Sequence, residues 1–455
     1  DLILHNDQCY SQERAVEFTK NLSKEQARPF HSVQNRPECI PSWREQNLTD
    51  SHFLPVEKMP DVFVYTAYLD ERVADRLLVR VYVYKSITRR VDLFCHFLDE
   101  LGHSVSIQES AKVSGYGRGL HKIREWQYVK WAGYMMTCTL PANGDHCSLF
   151  VSTSSETLTR EQLQLRGAVQ LPLRSTATVA KPKKRALCVR NLHSTQDLPL
   201  NLLVENIHYA FLSGVDIVVF YLSETPSNAL ASLISTFNEL KLQDRRNNRS
   251  LDLRFVPWFL PKPEETFAFN QPLLTNDCMM RTMPEAVFIQ FHDIDEILVP
   301  PTGSSAPFTS SIEAYFRDFP HQVAMCLYNI YFPPFHRNKT GFSLRLADSI
   351  HRCQMNDGVQ SKCVIKPRKV IEMGVHEGCL SLDNRFIWSG TVDVQIYGAM
   401  HHLKLDPFNY CPAVDSPNLV EDLQHASLLP NSWRSDITKR LDMLLKRCKK
   451  IHINE

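Results

Sequence analysis

The sequence predicts two folded units in series, an all-β, sandwich-like domain and then a larger α/β domain whose sheet carries helices on both faces. Three observations predict this. Short runs in which apolar and polar residues alternate recur between Asp61 and Arg174, separated by turn residues. Between Ala186 and Phe291 strand and helix patterns alternate four times, the signature of a parallel sheet covered on both sides. The chain is 455 residues long, which at about 150 residues per domain allows two or three full-sized cores.

Residues 1–55 mix Pro, Gln, Asn and charge without a sustained period and read as a stem or wrapping segment. Residues 56–180 form the sandwich-like accessory domain. Its strands are expected at Val62–Tyr68, Val79–Tyr84, Trp126–Val129 and Leu149–Val151, with turns at Ser114-Gly115-Tyr116-Gly117 and Pro141-Ala142-Asn143-Gly144. Val alternating with Arg and Tyr along residues 79–84 predicts a half-buried strand. Ser175 to Arg185 reads as a linker, because it lacks an apolar face and ends in the basic run Lys181-Pro182-Lys183-Lys184-Arg185, more naturally a solvated segment than a phosphate-binding or membrane patch.

The α/β domain occupies residues 181–455. Ala186–Val189 is a short apolar strand, Leu200–Leu212 a helix, and Val215–Tyr221 a nearly continuous apolar strand. Pro226-Ser227 opens a helix whose Leu230, Leu233, Ile234, Phe237 and Leu240 recur at helical spacing, so one face is buried. Leu253–Pro257 is a third strand, Asn276 to Arg281 lies on a third helix, and Ala286–Phe291 is a fourth strand. In such sheets ligands bind beyond the carboxyl ends of the strands.

Composition narrows the function. With 51 Lys and Arg against 50 Asp and Glu, the formal charge is +1, which argues against a nucleic-acid binder. Thirteen cysteines without a CxxC pair argue against structural zinc, and the odd number leaves at least one thiol unpaired. Together with Asn-x-Ser/Thr acceptors at Asn21, Asn47, Asn248 and Asn338, they favour an oxidising, secretory route. The longest apolar run, Val215–Leu222, is far short of the roughly 20 residues that span a bilayer. The chain opens at Asp1, so any signal or anchor is expected to have been removed.

The chemistry concentrates at His292-Asp293-Ile294-Asp295-Glu296, directly after the fourth strand. Two carboxylates at i and i+2 present hard oxygen ligands for a divalent cation at the crevice. On composition alone a solvated turn would explain them; their place after a fully apolar strand favours the metal reading, since three crowded acids need a cation or a basic partner.

These residues, in order, resemble glycosyltransferase family 92. The resemblance is carried by Gly214-Val215 and Phe220-Tyr221, by Asn276-Asp277-Cys278 with Arg281, and by the His292–Glu296 run. Lys362-Cys363-Val364-Ile365-Lys366-Pro367 and Met373-Gly374-Val375-His376 complete it. It covers about residues 185 to 410, and the strand-rich region ahead also resembles that of nematode members. The resemblance implies a GT-A fold, with a Rossmann-like mixed sheet, and UDP-galactose as donor. It further implies Mn²⁺ and an inverting transfer that forms a β-1,4 linkage to a fucose, or another sugar hydroxyl, of an N-glycan core. A Golgi-lumen enzyme, the lumenal part of a single-pass type II membrane protein held by several disulfides, fits it.

Asp293 and Asp295 are the expected metal ligands. The third is expected at His376 or at the pair His401-His402, with His376 favoured. Arg190, Lys362, Lys366 and Lys404 are the basic groups nearest the expected crevice and candidates for the diphosphate. Asn276, Asp277 and Arg281, on one helix at spacings near 4, suit donor contacts; a helix-start cap with an internal ion pair explains them equally well. Tyr221 could stack on uracil or simply pack. The general base is expected among Asp348, Asp357, Glu372 and Glu377, with Glu377 ahead because it adjoins His376. Trp126, Tyr128 and Trp131 are candidates for glycan contact, although core aromatics would look the same. Two other readings compete: a catalytically inactive glycan-binding protein on a transferase fold, and a metal-dependent phosphohydrolase, which would need more acids and histidines than the single pair visible.

Overall fold

The computed structural model describes most of residues 52–403, with the short strands Ile40–Pro41 and Leu419–Glu421; residues 1–39, 333–350 and 422–455 are the longest stretches outside the described residues. The four Asn-x-Ser/Thr acceptors, Trp126, Tyr128, Asp348, His376, Glu377 and Lys404 also lie outside them.

The N-terminal region is built from β1 (Val62–Asp70), β2 (Leu78–Ser86), β3 (Phe94–Leu98), β4 (Ser104–Glu109), β5 (Gly119–Lys122), β6 (Trp131–Thr139), β7 (Ser148–Ser152), the helix α1 (Arg160–Arg166) and β8 (Val169–Ser175). They follow one another in the order β4-β3-β7-β8-β1-β2-β6-β5. Residues 169–172 of β8 pair with β7 and residues 173–175 with β1, so one strand joins the two halves of the order, which curls on itself. Cys95 of β3 and Cys138 of β6, near opposite ends of that order, are disulfide-bonded, and Val64, Val81, Phe97, Leu149 and Leu171 from both halves share one core. Helix α1 starts on a capping box between Thr159 and Gln162 and stops at Gly167, whose φ of 80° favours glycine.

The alternation in β2 has a different meaning from the expected half-buried strand. Val79, Val81 and Val83 fill the curled core, but Arg80, Tyr82 and Tyr84 on the other face are also buried, with the two tyrosines in a second core shared with the α/β region. What reads as a solvent face is an internal junction. The expected linker is likewise partly folded: Ser175 ends β8, and the Thr176 hydroxyl, fully buried, donates to the Leu69 carbonyl at 2.7 Å.

The second region contains β9 (Lys184–Leu192), α2 (Leu200–Leu212), β10 (Ile217–Leu222), α3 (Asn228–Leu240), β11 (Asp252–Pro257), α4 (Gln271–Thr282), β12 (Ala286–His292) and β13 (Glu296–Val299), followed by α5 (Phe308–Asp318), β14 (Ala324–Phe332), β15 (Asn356–Ile365), β16 (Val370–Met373) and β17 (Ala399–Leu403). Eight strands make a mixed sheet in the order β11-β10-β9-β12-β15-β14-β17-β13. The first four are parallel, as the alternating pattern requires, and β15 then adds antiparallel to β12. One sheet face is covered by apolar residues of α2 and α3, the other by α4, which Cys188–Cys278 ties to β9. Cys326–Cys363 joins β14 to β15. Gly214 sits at a φ of 97° where a Cβ would come within 2.1 Å of the Thr309 Oγ1, so the α2-to-β10 turn admits no side chain there.

Between the two regions lies a buried polar junction. The Asp277 carboxylate accepts from the Tyr68 hydroxyl at 2.8 Å, the Tyr221 hydroxyl at 2.6 Å and the Arg281 guanidinium at 2.8 Å. Nearby, Arg72 binds the Asp70 carboxylate through both oxygens at 2.7 and 2.8 Å, and its Nη1 reaches the Pro367 and Val370 carbonyls. Trp258 of the α/β region packs edge-on against Phe53 and Tyr65. The residues whose burial closes this junction come from both regions, so they share a core.

Candidate active site

Strand order reverses between β9 and β12: from β9 the chain moves to β10 and β11 on one side, then returns to place β12 on the other. A crevice opens at the carboxyl ends of two parallel strands where this happens. Arg190 stands at that end of β9 and His292 ends β12, with the Asp293–Asp295 turn beyond.

The turn is fixed from below. Glu296, fully buried, accepts the Asp293 backbone N–H at 2.7 Å on Oε2, while its own N–H donates to the Asp293 carbonyl at 3.1 Å. Asn206 of α2 donates from Nδ2 to the Ile294 carbonyl at 3.0 Å and the Glu296 carbonyl at 3.1 Å. The Asn329 Nδ2 approaches Glu296 Oε1 at 3.5 Å. Backbone groups that a turn would otherwise leave unsatisfied are thereby taken up, which holds its shape.

Two cations converge on it. The Lys362 Nζ lies 2.8 Å from Asp293 Oδ2 and 3.1 Å from Glu296 Oε1, and its side chain is 2% exposed. The Arg190 Nη1 is 3.7 Å from the same Asp293 oxygen, and its Nη2 donates to the Val375 carbonyl, one residue before His376. Asp293 itself is 28% exposed, so part of its side chain is reachable from solvent while its Oδ2 is paired. Burial pushes the His292 imidazole down to about 4, and the negative charges of Glu296 and Asp293 only partly offset it, so it is neutral beside the turn at pH 7.

Of the expected site residues, Asp293, Asp295, Arg190 and Lys362 are brought to one place, with Asp295 half-buried on the same turn. Lys366 is not among them. It follows β15, which runs antiparallel to β12 with Ile289 opposite Ile365, so the step from Lys362 to Lys366 leads away from the crevice; its ammonium lies over the Phe316 ring at 4.4 Å. The expected donor contacts of Tyr221, Asn276, Asp277 and Arg281 are replaced by internal ones. All four are 0–2% exposed; Asp277, Arg281 and Tyr221 belong to the junction, and Asn276 both donates to and accepts from the Met373 backbone at 2.9 Å. Trp131 is buried against Tyr84. The backbone of β17 puts His401 opposite Ile297 and His402 opposite Glu296. Asp357 pairs with Asn329 in the sheet, and Glu372 on β16 is buried.

Glu296, Asn206 and Asn329 have parts that spacing did not assign. Glu296 had a signal: an acid three residues after Asp293 can reach back to its N–H, the geometry of a capping box. Asn206 and Asn329 had none, being distant in sequence. As for a metal, the turn offers two carboxylates, the donor chemistry of a hard divalent cation. Among the described residues no group of three or more His, Cys, Asp or Glu is gathered, so further ligands would come from side chains outside the description or from the donor.

Residues 183–438 match the family model of glycosyltransferase family 92. The chain is also similar to the Beta-1,4-galactosyltransferase galt-1 of Caenorhabditis elegans, 24% identical over 325 residues that make up 69% of this chain and 68% of the relative. Among solved structures, S. aureus TarS 1-349 overlaps 49% of this chain and 58% of its own at 14% identity and a TM-score of 0.23. A UDP-glucose pyrophosphorylase from Acinetobacter baumanii overlaps 34% of this chain and 57% of its own at 10% identity and 0.20. Superposition at that level describes neither fold nor function.

Proposed function

The chain belongs to glycosyltransferase family 92, and from that premise we propose that it transfers galactose from UDP-galactose to a fucose, or another sugar hydroxyl, of an N-glycan core, with inversion and a β-1,4 linkage. The observation that carries this reading is the Asp293–Asp295 turn at the switch point of the sheet, with Arg190 and Lys362 fixed against it. The name of the C. elegans relative supports the donor sugar and linkage.

In the proposed reaction an acceptor oxygen bonds to C1 of galactose from the face opposite the phosphate. The C1–O bond breaks with its electron pair going to UDP, and the acceptor proton passes to a carboxylate. Asp293 and Asp295 would hold a divalent cation such as Mn²⁺, with His376 or His401 as a further ligand, and that cation would supply charge neutralisation at the diphosphate. Arg190 and Lys362 are already buried and held beside the turn, so their charge is in place to stabilise the leaving diphosphate. Arg190 also fixes the Val375 carbonyl, which supports His376, the next residue, over His401. Glu377 is the favoured base and Asp348 the second candidate. The proposed setting is the Golgi lumen, as the lumenal part of a single-pass type II protein; among the described residues no helix is long and apolar enough to cross a membrane.

The test is incubation with UDP-galactose and Mn²⁺, with and without a fucosylated N-glycan. Galactose transfer, lowered about 100-fold or more in Asp293→Asn, is expected; binding of glycan without turnover, or nucleotide release independent of acceptor, would replace this reading. In the same assay Glu377→Gln is expected to abolish most turnover, and retention within a few-fold would pass the role to Asp348.

A further inference from the structure

Lys362 is an unusual neighbour for a cation site. Its ammonium is buried and sits between two carboxylates, Asp293 and Glu296. A divalent cation that enters on the exposed side of Asp293 meets a positive charge fixed on the other side of the same carboxylate. Glu296 cannot serve as an alternative ligand reached from the crevice, because it is fully buried and held by the Asp293 N–H, Lys362 and Asn329. Its place is to hold Lys362 and the turn. Arg190 adds a second positive charge at 3.7 Å from Asp293. Lys362 and Arg190 therefore offset most of the charge of Asp293, Asp295 and Glu296, so a free cation gains less at this turn than the acids alone would give it, whereas a cation arriving with a diphosphate brings oxygens that can pair with Lys362 and Arg190. The like charges are then separated by phosphate.

We propose that Lys362, positioned by Glu296, is a built-in counter-ion that makes the divalent cation and the nucleotide diphosphate bind together rather than in sequence. This rests on the reading of the turn as a metal and sugar-nucleotide site. Glu296 is a positioning residue; Lys362 is the group that changes partner, exchanging a carboxylate oxygen for a phosphate oxygen when the diphosphate binds. No bond is made or broken in that exchange.

The two charges make opposite predictions for the cation alone, which damage to the turn would not. Mn²⁺ binding to the full chain is read from the free-ion electron paramagnetic resonance signal, and UDP binding by calorimetry with and without Mn²⁺. In the wild type, UDP is expected to tighten Mn²⁺ by about tenfold or more. Lys362→Met should tighten Mn²⁺ alone by about tenfold and reduce the coupling to UDP, because the opposing charge is gone. Glu296→Gln, which keeps an acceptor for the Asp293 N–H, should weaken Mn²⁺ alone by about tenfold, and the double variant should return towards wild type. The inference is overturned if both single variants shift Mn²⁺ in the same direction, or if Lys362→Met leaves the coupling intact. Should Lys362→Met fail to fold, Glu296→Gln still decides: a lowered Tm with unchanged Mn²⁺ affinity is a purely structural role and overturns the inference. A wild type that binds UDP and Mn²⁺ but independently overturns the inference and leaves the reading of the turn as a metal and sugar-nucleotide site standing; one that binds neither overturns both.

Discussion

Two buried charge clusters in this protein are made of the same materials and do opposite things. At the crevice, Asp293 and Glu296 meet Lys362 and Arg190; at the junction, Asp277 meets Arg281 with two tyrosines, and Asp70 meets Arg72 and Arg80. Every junction carboxylate is closed off at 0% exposure, whereas Asp293 keeps 28%. In the junction each carboxylate oxygen named has a protein donor, so the cluster is complete without a ligand. The crevice cluster leaves part of Asp293 open to solvent. Openness on one face, more than residue type or pairing, separates a site from a staple.

The largest test of that contrast exchanges one aspartate in each cluster. Asp277→Asn leaves Arg281 buried beside a neutral group, and removing one partner of a buried pair costs about 3–5 kcal/mol. Its unfolding midpoint in denaturant should fall accordingly. Asp293→Asn, partly solvated, should lose turnover with under about 1 kcal/mol of stability. If the two variants were equally destabilised, the crevice cluster would be a second staple and the contrast would fail.

That contrast also explains what the sequence revealed. The four parallel strands were legible because fully buried strands are apolar along their whole length, as in Val215–Leu222, and the Asp293–Asp295 turn was legible because it follows such a strand. Asp277 and Arg281 at i and i+4 were ambiguous for a physical reason: a helix face that binds a ligand and one that docks on another region need the same polar residues. The partners that decide between them, Tyr68 and Tyr221, are 209 and 56 residues away. Arg80, Tyr82 and Tyr84 misled similarly, since a pattern of period two marks two environments and does not say that one is water. Curling of the N-terminal sheet rests on the β3-to-β6 disulfide and the split pairing of β8, first with β7 and then with β1, neither of which spacing encodes.

Acid sharpens the junction side of the contrast. Burial alone would raise the Asp70 carboxyl, but the charge and hydrogen bonds of Arg72, and then the charge of Arg80, outweigh it and hold the group well below the usual carboxylate range. Its folded pKa is depressed, so its contribution is fully present above the unfolded value of 3.8 and is lost as pH falls below that towards the folded value. Unfolding free energy measured between pH 6 and pH 2 should therefore drop below about pH 4 in the wild type. Asp70→Asn should start lower at pH 6 and drop less steeply. Equal slopes would show that Arg72 and Arg80 hold Asp70 no better than water does.

The smallest effect probes how much of the junction is shared between the two regions. Tyr221→Phe removes one hydroxyl, whose hydrogen bond at 2.6 Å is one of several to Asp277. A hydrogen bond to a charged group contributes about 1.5–3 kcal/mol, and because Tyr68 and Arg281 remain on the same carboxylate, the loss should sit at the low end. Tyr68→Phe should match it, since that hydroxyl reaches the other oxygen of the same group from the N-terminal sheet. In the double variant the loss should exceed the sum of the two single losses, because Asp277 would then keep neither hydroxyl and rest on Arg281. Strict additivity would mean that each tyrosine serves its own region and that the shared core is held by its apolar contacts alone.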